Sequence, residues 1–165
     1  MSIATYSPED VVILLGGIVP LEGLSEGSFI SISKDTPQYN TVSTADGRVS
    51  RINVEDPTHI VTITLTSYSN ANLIFSAWTA ADELVQSAMI PLFVKDGLGS
   101  TLFYAPLCWV EKVPDTSFDV STTDRVWTLR TAGGKLVNGG NMEGALVDSN
   151  LAALGFIAAD VGNIL

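Results

Sequence analysis

Residues 59–66, HIVTITLT, alternate along their whole length. Val61, Ile63 and Leu65 point one way; Ile60, Thr62, Thr64 and Thr66 point the other. A period of two built from β-branched residues is the mark of a strand with one face on a core. The chain then changes period. In residues 69–87, SNANLIFSAWTAADELVQS, Ile74, Trp78, Ala81 and Val85 recur at helical spacing, and Leu73, Ala77 and Leu84 widen the stripe. The helix is expected over about residues 70–86, capped by Ser69 or Asn70, with Asp82 and Glu83 facing out. Further strands are expected at 10–15, 28–33, 88–95, 101–109 and 125–131. Gly16-Gly17 marks a turn or bulge. Pro91 and Pro106 lack a ladder donor, which predicts edge strands or bulges there. Several strands, one helix, then more strands predict a mainly β fold: an antiparallel sandwich or barrel with one flanking α-helix.

The 165 residues suit one domain with a real core, so residues 1–165 are read as a single domain. Eighteen acidic against eight basic residues give a net charge of −10. That excludes a protein that grips nucleic acid or an anionic membrane, because each phosphate contact needs a cation. Only 16% of residues are charged, below the roughly 25% usual in soluble domains, and mean hydropathy is positive. The apolar run at 11–19, VVILLGGIV, falls short of the ~18–20 residues that span a membrane, and MSIATYSPED lacks the basic region of a secretory signal. Such a composition points to a surface partly hidden in an assembly.

Chemistry-bearing patterns are sparse. His59 is the only histidine and Cys108 the only cysteine, so no metal-ligand spacing exists, and both read as structural. Gly133-Gly134-Lys135 reads as a turn, not a phosphate loop. Asp82-Glu83 are helix neighbours that share no face; Glu55-Asp56 precede Pro57. No nucleophile elbow is present. No enzyme activity, cofactor or metal is expected. Trp78, Trp109 and Trp127 raise the alternative of a carbohydrate-binding β-sandwich, but their apolar settings favour core packing.

One segment stays outside the core pattern. Residues 34–57 are polar and carry charges of both signs, including Asp46, Arg48, Arg51, Glu55 and Asp56. A connection of this length is usually functional. The loop at about 35–57 is read as a contact device between copies of the chain, with Gly47 allowing a turn at its tip. Residues 136–165 form a C-terminal extension, whose Ala-rich part at 149–161 is expected to be a short helix.

The stretch YNTVSTADGRVSRINVEDPTHIVTITLTSYSNANL resembles the tail tube proteins of contractile-tailed bacteriophages, which are related to type VI secretion tube proteins. The matching positions are Tyr39, Asp46-Gly47, Arg51, Val61 to Leu65 and Ser69 to Asn72. Around it, the resemblance covers roughly residues 8–141. It departs at the start, where the Asp expected to open the loop is followed by TPQYNTVST. The resemblance implies a tail-tube-like fold, hexameric rings stacked into a tube, and a lumen through which DNA passes without tight binding. It implies sheath, tape measure, baseplate and tail terminator partners, and a place in the virion tail after assembly in the host cytoplasm. Tyr39, Asp46, Gly47, Arg48, Arg51, Glu55 and Asp56 would then make contacts between rings. The alternative is another ring-forming β-rich virion or injection-machine component, such as a tail-completion or baseplate protein.

Overall fold

The computed structural model describes residues 4–141. The helix expected at 149–161, and all but the first residues of the C-terminal extension, lie outside them. The strands are β1 (Val11–Leu15), β2 (Val19–Pro20), β3 (Ile30–Lys34), β4 (Tyr39–Ser43), β5 (Val49–Asn53), β6 (His59–Thr66), β7 (Ile90–Asp96), β8 (Leu102–Lys112), β9 (Asp124–Ala132) and β10 (Lys135–Val137). The α-helix is α1 (Ala71–Val85). Eight strands form one antiparallel sheet in the order β2-β1-β7-β8-β9-β6-β3, with β10 added to β8; β4 and β5 form a separate two-stranded ribbon. Over the described residues the chain therefore adopts the expected mainly β fold with one α-helix. The ladder ends at β2 and β3, so the sheet is not a closed barrel.

The chain divides into two compact units. The first contains, among the described residues, those up to Leu21, Pro91–Ala105 and those from Lys135. Here β1 pairs with β7 so that Ile13 faces Val94 and Leu15 faces Leu92, and all four are buried with Phe103 and Ala105 of β8. The expected turn at Gly16-Gly17 is present, with φ of 63° and 74°. It leads into β2, which at two residues is too short to alternate visibly. β10 lies on the first half of β8, from Lys135 opposite Tyr104 to Val137 opposite Leu102. Just beyond it, the Asn141 amide donates to the buried Asp96 carboxylate at 2.7 Å.

The second unit contains Glu22–Ile90 and Pro106–Gly134. Its sheet is the second half of β8 with β9, β6 and β3. The alternation read in HIVTITLT holds: Val61, Ile63 and Leu65 are fully buried, and the opposite face is half-buried. The register sets Val61 opposite Leu129 and Ile63 opposite Trp127, so the buried face continues across β9. Cys108 is fully buried, as expected, and burial pushes its thiol up to about 12.

Helix α1 covers this face by a different stripe from the expected one. Its buried residues are Ala71, Phe75 and Trp78, spaced four and three apart. Phe75 stacks on Trp127 with ring centroids 5.1 Å apart. Leu73, Ile74, Leu84 and Val85 are exposed. Asp82 does not face out freely, since its carboxylate accepts from the Ala88 amide at 3.0 Å. Asn70 stands at the N-cap without a side-chain bond, and Ser69 supplies the bond instead: its hydroxyl accepts from the Ala71 amide at 3.2 Å and donates to the Glu22 carbonyl at 2.7 Å.

The prolines do not mark edge strands. β7 and β8 are interior in the sheet. Pro91 precedes Leu92, where the β1–β7 register begins. Pro106 sits between Tyr104, the partner of Lys135, and Leu107, the partner of Ala132. Each stands where the missing N–H costs no cross-strand bond in those ladders.

Gly23 fixes the approach to the helix start. Its φ is +74°, and a Cβ there would lie 2.6 Å from Ser69 Cβ and 3.3 Å from its Cα. The Gly23 carbonyl also accepts from the Thr66 amide at 3.1 Å. Gly23→Ala is expected to lose about 1–3 kcal/mol through strain and overpacking. Chemical denaturation against Ala→Gly controls at exposed sites checks this.

Candidate functional site

The segment expected as a long loop is partly ordered structure. Its middle folds into the β4–β5 ribbon, registered from Tyr39 opposite Asn53 to Ser43 opposite Val49. Thr41, Val42, Val49 and Ile52 supply the β-branched residues that favour extended backbone. The tip follows from Asp46-Gly47: Gly47 has φ of +81°, its amide donates to the Thr44 carbonyl at 3.0 Å, and the Thr44 amide donates to the Arg48 carbonyl at 2.9 Å. A three-residue connection ending in a left-handed glycine is a common hairpin closure. All ten ribbon residues are exposed. A two-stranded ribbon whose residues are all exposed is marginal by itself.

The ribbon brings some of the sequence-selected residues together. The Arg51 guanidinium lies 4.3 Å from the centre of the Tyr39 ring, a diagonal pair on one face that also carries Val49. The other face carries Val42 and Ile52. Arg48 and Asp46 are 3.7 Å apart at the tip, but such an exposed pair contributes little. Thr44 holds the Asp46 carboxyl below its ordinary range. Glu55 is exposed and stands away from these pairs in sequence, between the ribbon and its neck.

Asp56 has another task. Its carboxylate accepts from the hydroxyls of Thr36 (2.7 Å) and Thr58 (2.6 Å) and from the Thr58 amide (3.0 Å). It thereby ties the outgoing chain to the returning chain at the ribbon's neck. The Thr58 and Thr36 hydroxyls hold its carboxyl at about 2. A second tie was not evident from the sequence. Arg130 of β9 bonds Asp35 and, through Nε at 2.6 Å, Glu111, and both carboxylates strengthen its hold on its proton. Asp35 and Arg130 lie 95 residues apart in sequence, so no local pattern pointed to them.

These groups set a pH dependence. The Asp56 carboxyl is depressed in the folded chain, so its contribution is complete above the ordinary carboxylate range. It is lost as the pH falls from about 4 towards about 2. His59, whose Nδ1 is 3.2 Å from the Pro57 carbonyl, is held below its ordinary 6.5 by burial. Its neutral form is favoured in the fold, and that contribution also fades as the pH falls through its lowered value. Asp56→Asn is expected to destabilise the neck at pH 7 and to flatten the acid loss below about pH 4. Thermal unfolding across pH, beside Thr58 amide exchange, checks both signs.

At the opposite end of the same sheet, residues 113–123 connect β8 to β9. Phe118 and Val120 there are 92% and 105% exposed. Ser67, Phe118, Asp119, Thr123 and Arg125 line a shallow recess of about 320 Å³ beside them. The isolated Phe in DTSFDVSTTD was the available sequence signal. Trp78 and Trp127 are buried, with indole N–H bonds to the Ala88 carbonyl and the Asn72 side chain. These two are core residues and offer no sugar platform; Trp109, on β8, is half-buried rather than in the core. Among the described residues no group of three or more His, Cys, Asp or Glu is placed to hold a metal, and no helix is long and apolar enough to cross a membrane.

No protein-family model matches the chain. It is similar to Structural protein ORF10 of Pseudomonas phage KPP10, at 23% identity over 147 residues, covering 85% of each chain. Its fold is similar to the anti-feeding prophage cap, the AFP tube terminating cap. That match has a TM-score of 0.53 at 12% identity, with 81% of this chain and 91% of that chain covered. At this identity the likeness is one of fold.

Proposed function

We propose that the chain is a structural, non-enzymatic component of a phage tail or related contractile injection machine, and that its copies form a ring at the end of the tail tube. The observation that carries this reading is the fold shared with a tube terminating cap over most of both chains. The distant similarity to a phage structural protein supports the broader part of it. The likeness is to a cap, so a tail-completion ring takes precedence over the stacked tube subunit drawn from the sequence. The tube reading keeps one specific support, the segment from Tyr39 to Asn72 that resembles tail tube proteins.

In either case the open sheet edges and the unsupported ribbon find partners in neighbouring copies. Ribbon residues Tyr39, Asp46, Gly47, Arg48 and Arg51 make the contact, and Glu55 and Asp56 stand at its base. Partners would be the tube, sheath, tape measure or baseplate, and the place of work the virion tail. A chain of net charge −10 lets DNA pass without holding it. Negative-stain microscopy of the purified chain tests the proposal. Single-layer rings are expected; long tubes would favour the tube subunit, and dispersed monomers at high concentration would refute both.

A further inference from the structure

We infer that the β4–β5 ribbon of one copy docks on the β8–β9 loop of the next copy, in a head-to-tail contact. The inference rests on the ring-forming reading above and names the two surfaces that meet.

The register places these segments at opposite ends of one sheet. The ribbon hangs from the end where Lys34 faces His59 and His59 faces Thr131. The loop leaves from the end where Thr66 faces Asp124. The eight residues of β6, at roughly 3.3 Å each, separate the two ends by about 25 Å. Surfaces so placed on one chain suit contact between successive copies.

Their chemistries are complementary. The ribbon, residues 39–53, holds one acid, Asp46, and two bases, Arg48 and Arg51, in a chain whose net charge is −10. Two copies repel each other over most orientations, and the cationic ribbon is the element that reverses this. The loop holds Asp115 and Asp119 and no base between residues 113 and 123. Its Phe118 and Val120 are the most exposed large apolar side chains among the described residues. The ribbon face with Tyr39 and Val49, both exposed, offers the apolar strip to cover them; it carries Arg51 as well, with Arg48 beside it at the tip. Apolar burial then supplies affinity, and the Arg–Asp pairs set register. Because the two surfaces differ, the contact is heterologous, and such contacts close into rings when the rotation between copies allows.

Charge reversal in the full chain tests this, read by sedimentation velocity and microscopy. Arg48→Glu/Arg51→Glu alone and Asp115→Lys/Asp119→Lys alone should each raise the concentration for half-assembly by about tenfold or more. Thermal unfolding should stay near that of the wild type, since all four side chains are exposed. Mixing the two variants should restore assembly, because each reversed ribbon then meets a reversed loop and each native ribbon a native loop. Phe118→Ser should weaken assembly with all charges intact. If either reversed variant assembles like the wild type, or if mixing restores nothing, the pairing is wrong, while wild-type rings would still stand for the ring-forming reading. A wild-type chain that stays monomeric overturns both.

Discussion

Phe75→Ala should lower the stability of the chain by about 3–5 kcal/mol, the cost of emptying a well-packed aromatic site. Phe75 is fully buried and lies between Trp78, at 6.0 Å, and Trp127, at 5.1 Å. Removing it takes away the middle of the three side chains that α1 buries, and leaves Trp127 facing a cavity. The Trp127 indole N–H donates to Asn72 at 2.9 Å, and Asn72 donates to the Thr66 carbonyl at 2.8 Å. The loss therefore reaches the bonds that start the helix. The contrast is Leu84, 86% exposed on the same helix, where alanine should cost within about 0.5 kcal/mol. Tryptophan fluorescence in a urea series distinguishes them. Equal losses at the two sites would show that α1 packs by its other face.

Replacing residues 39–53 by a short Gly-Ser link should leave folding nearly intact and abolish ring formation. Every ribbon residue is exposed. The ribbon's neck is held from outside the deleted span by Asp56 with Thr36 and Thr58, and by Arg130 with Asp35. A surface segment held in this way contributes little to the core. Assembly is different, because many copies of one weak contact act together around a ring. The readout is sedimentation velocity beside thermal unfolding. Rings from the deleted chain would remove the ribbon from the account, and a large drop in melting temperature would make it part of the fold.

The β6 strand was legible because one of its faces is buried, which imposes a strict alternation on the sequence. β4 and β5 were not, because both faces meet solvent in the single chain and no alternation is enforced. What could be read there was the length of the polar stretch and the Asp46-Gly47 tip, and both survive in the hairpin. α1 was legible as a helix but not in orientation. Apolar residues occupy much of its circumference, so Ile74, Ala81 and Val85 fit helical spacing as well as Ala71, Phe75 and Trp78 do. Tertiary contact with Trp127 decides between the stripes. Pro91 and Pro106 misled because a proline can also stand where one cross-strand pairing begins or passes to another strand. The Asp35–Arg130–Glu111 tie joins residues brought together by the sheet, so no local spacing could predict it.

Native mass spectrometry of the purified full chain tests the central claim most directly. The account predicts a closed homohexamer that persists on dilution at moderate ionic strength and dissociates when Arg48 and Arg51 are reversed to Glu. A chain that stays monomeric at high concentration, or assembles with no dependence on those residues, would contradict it.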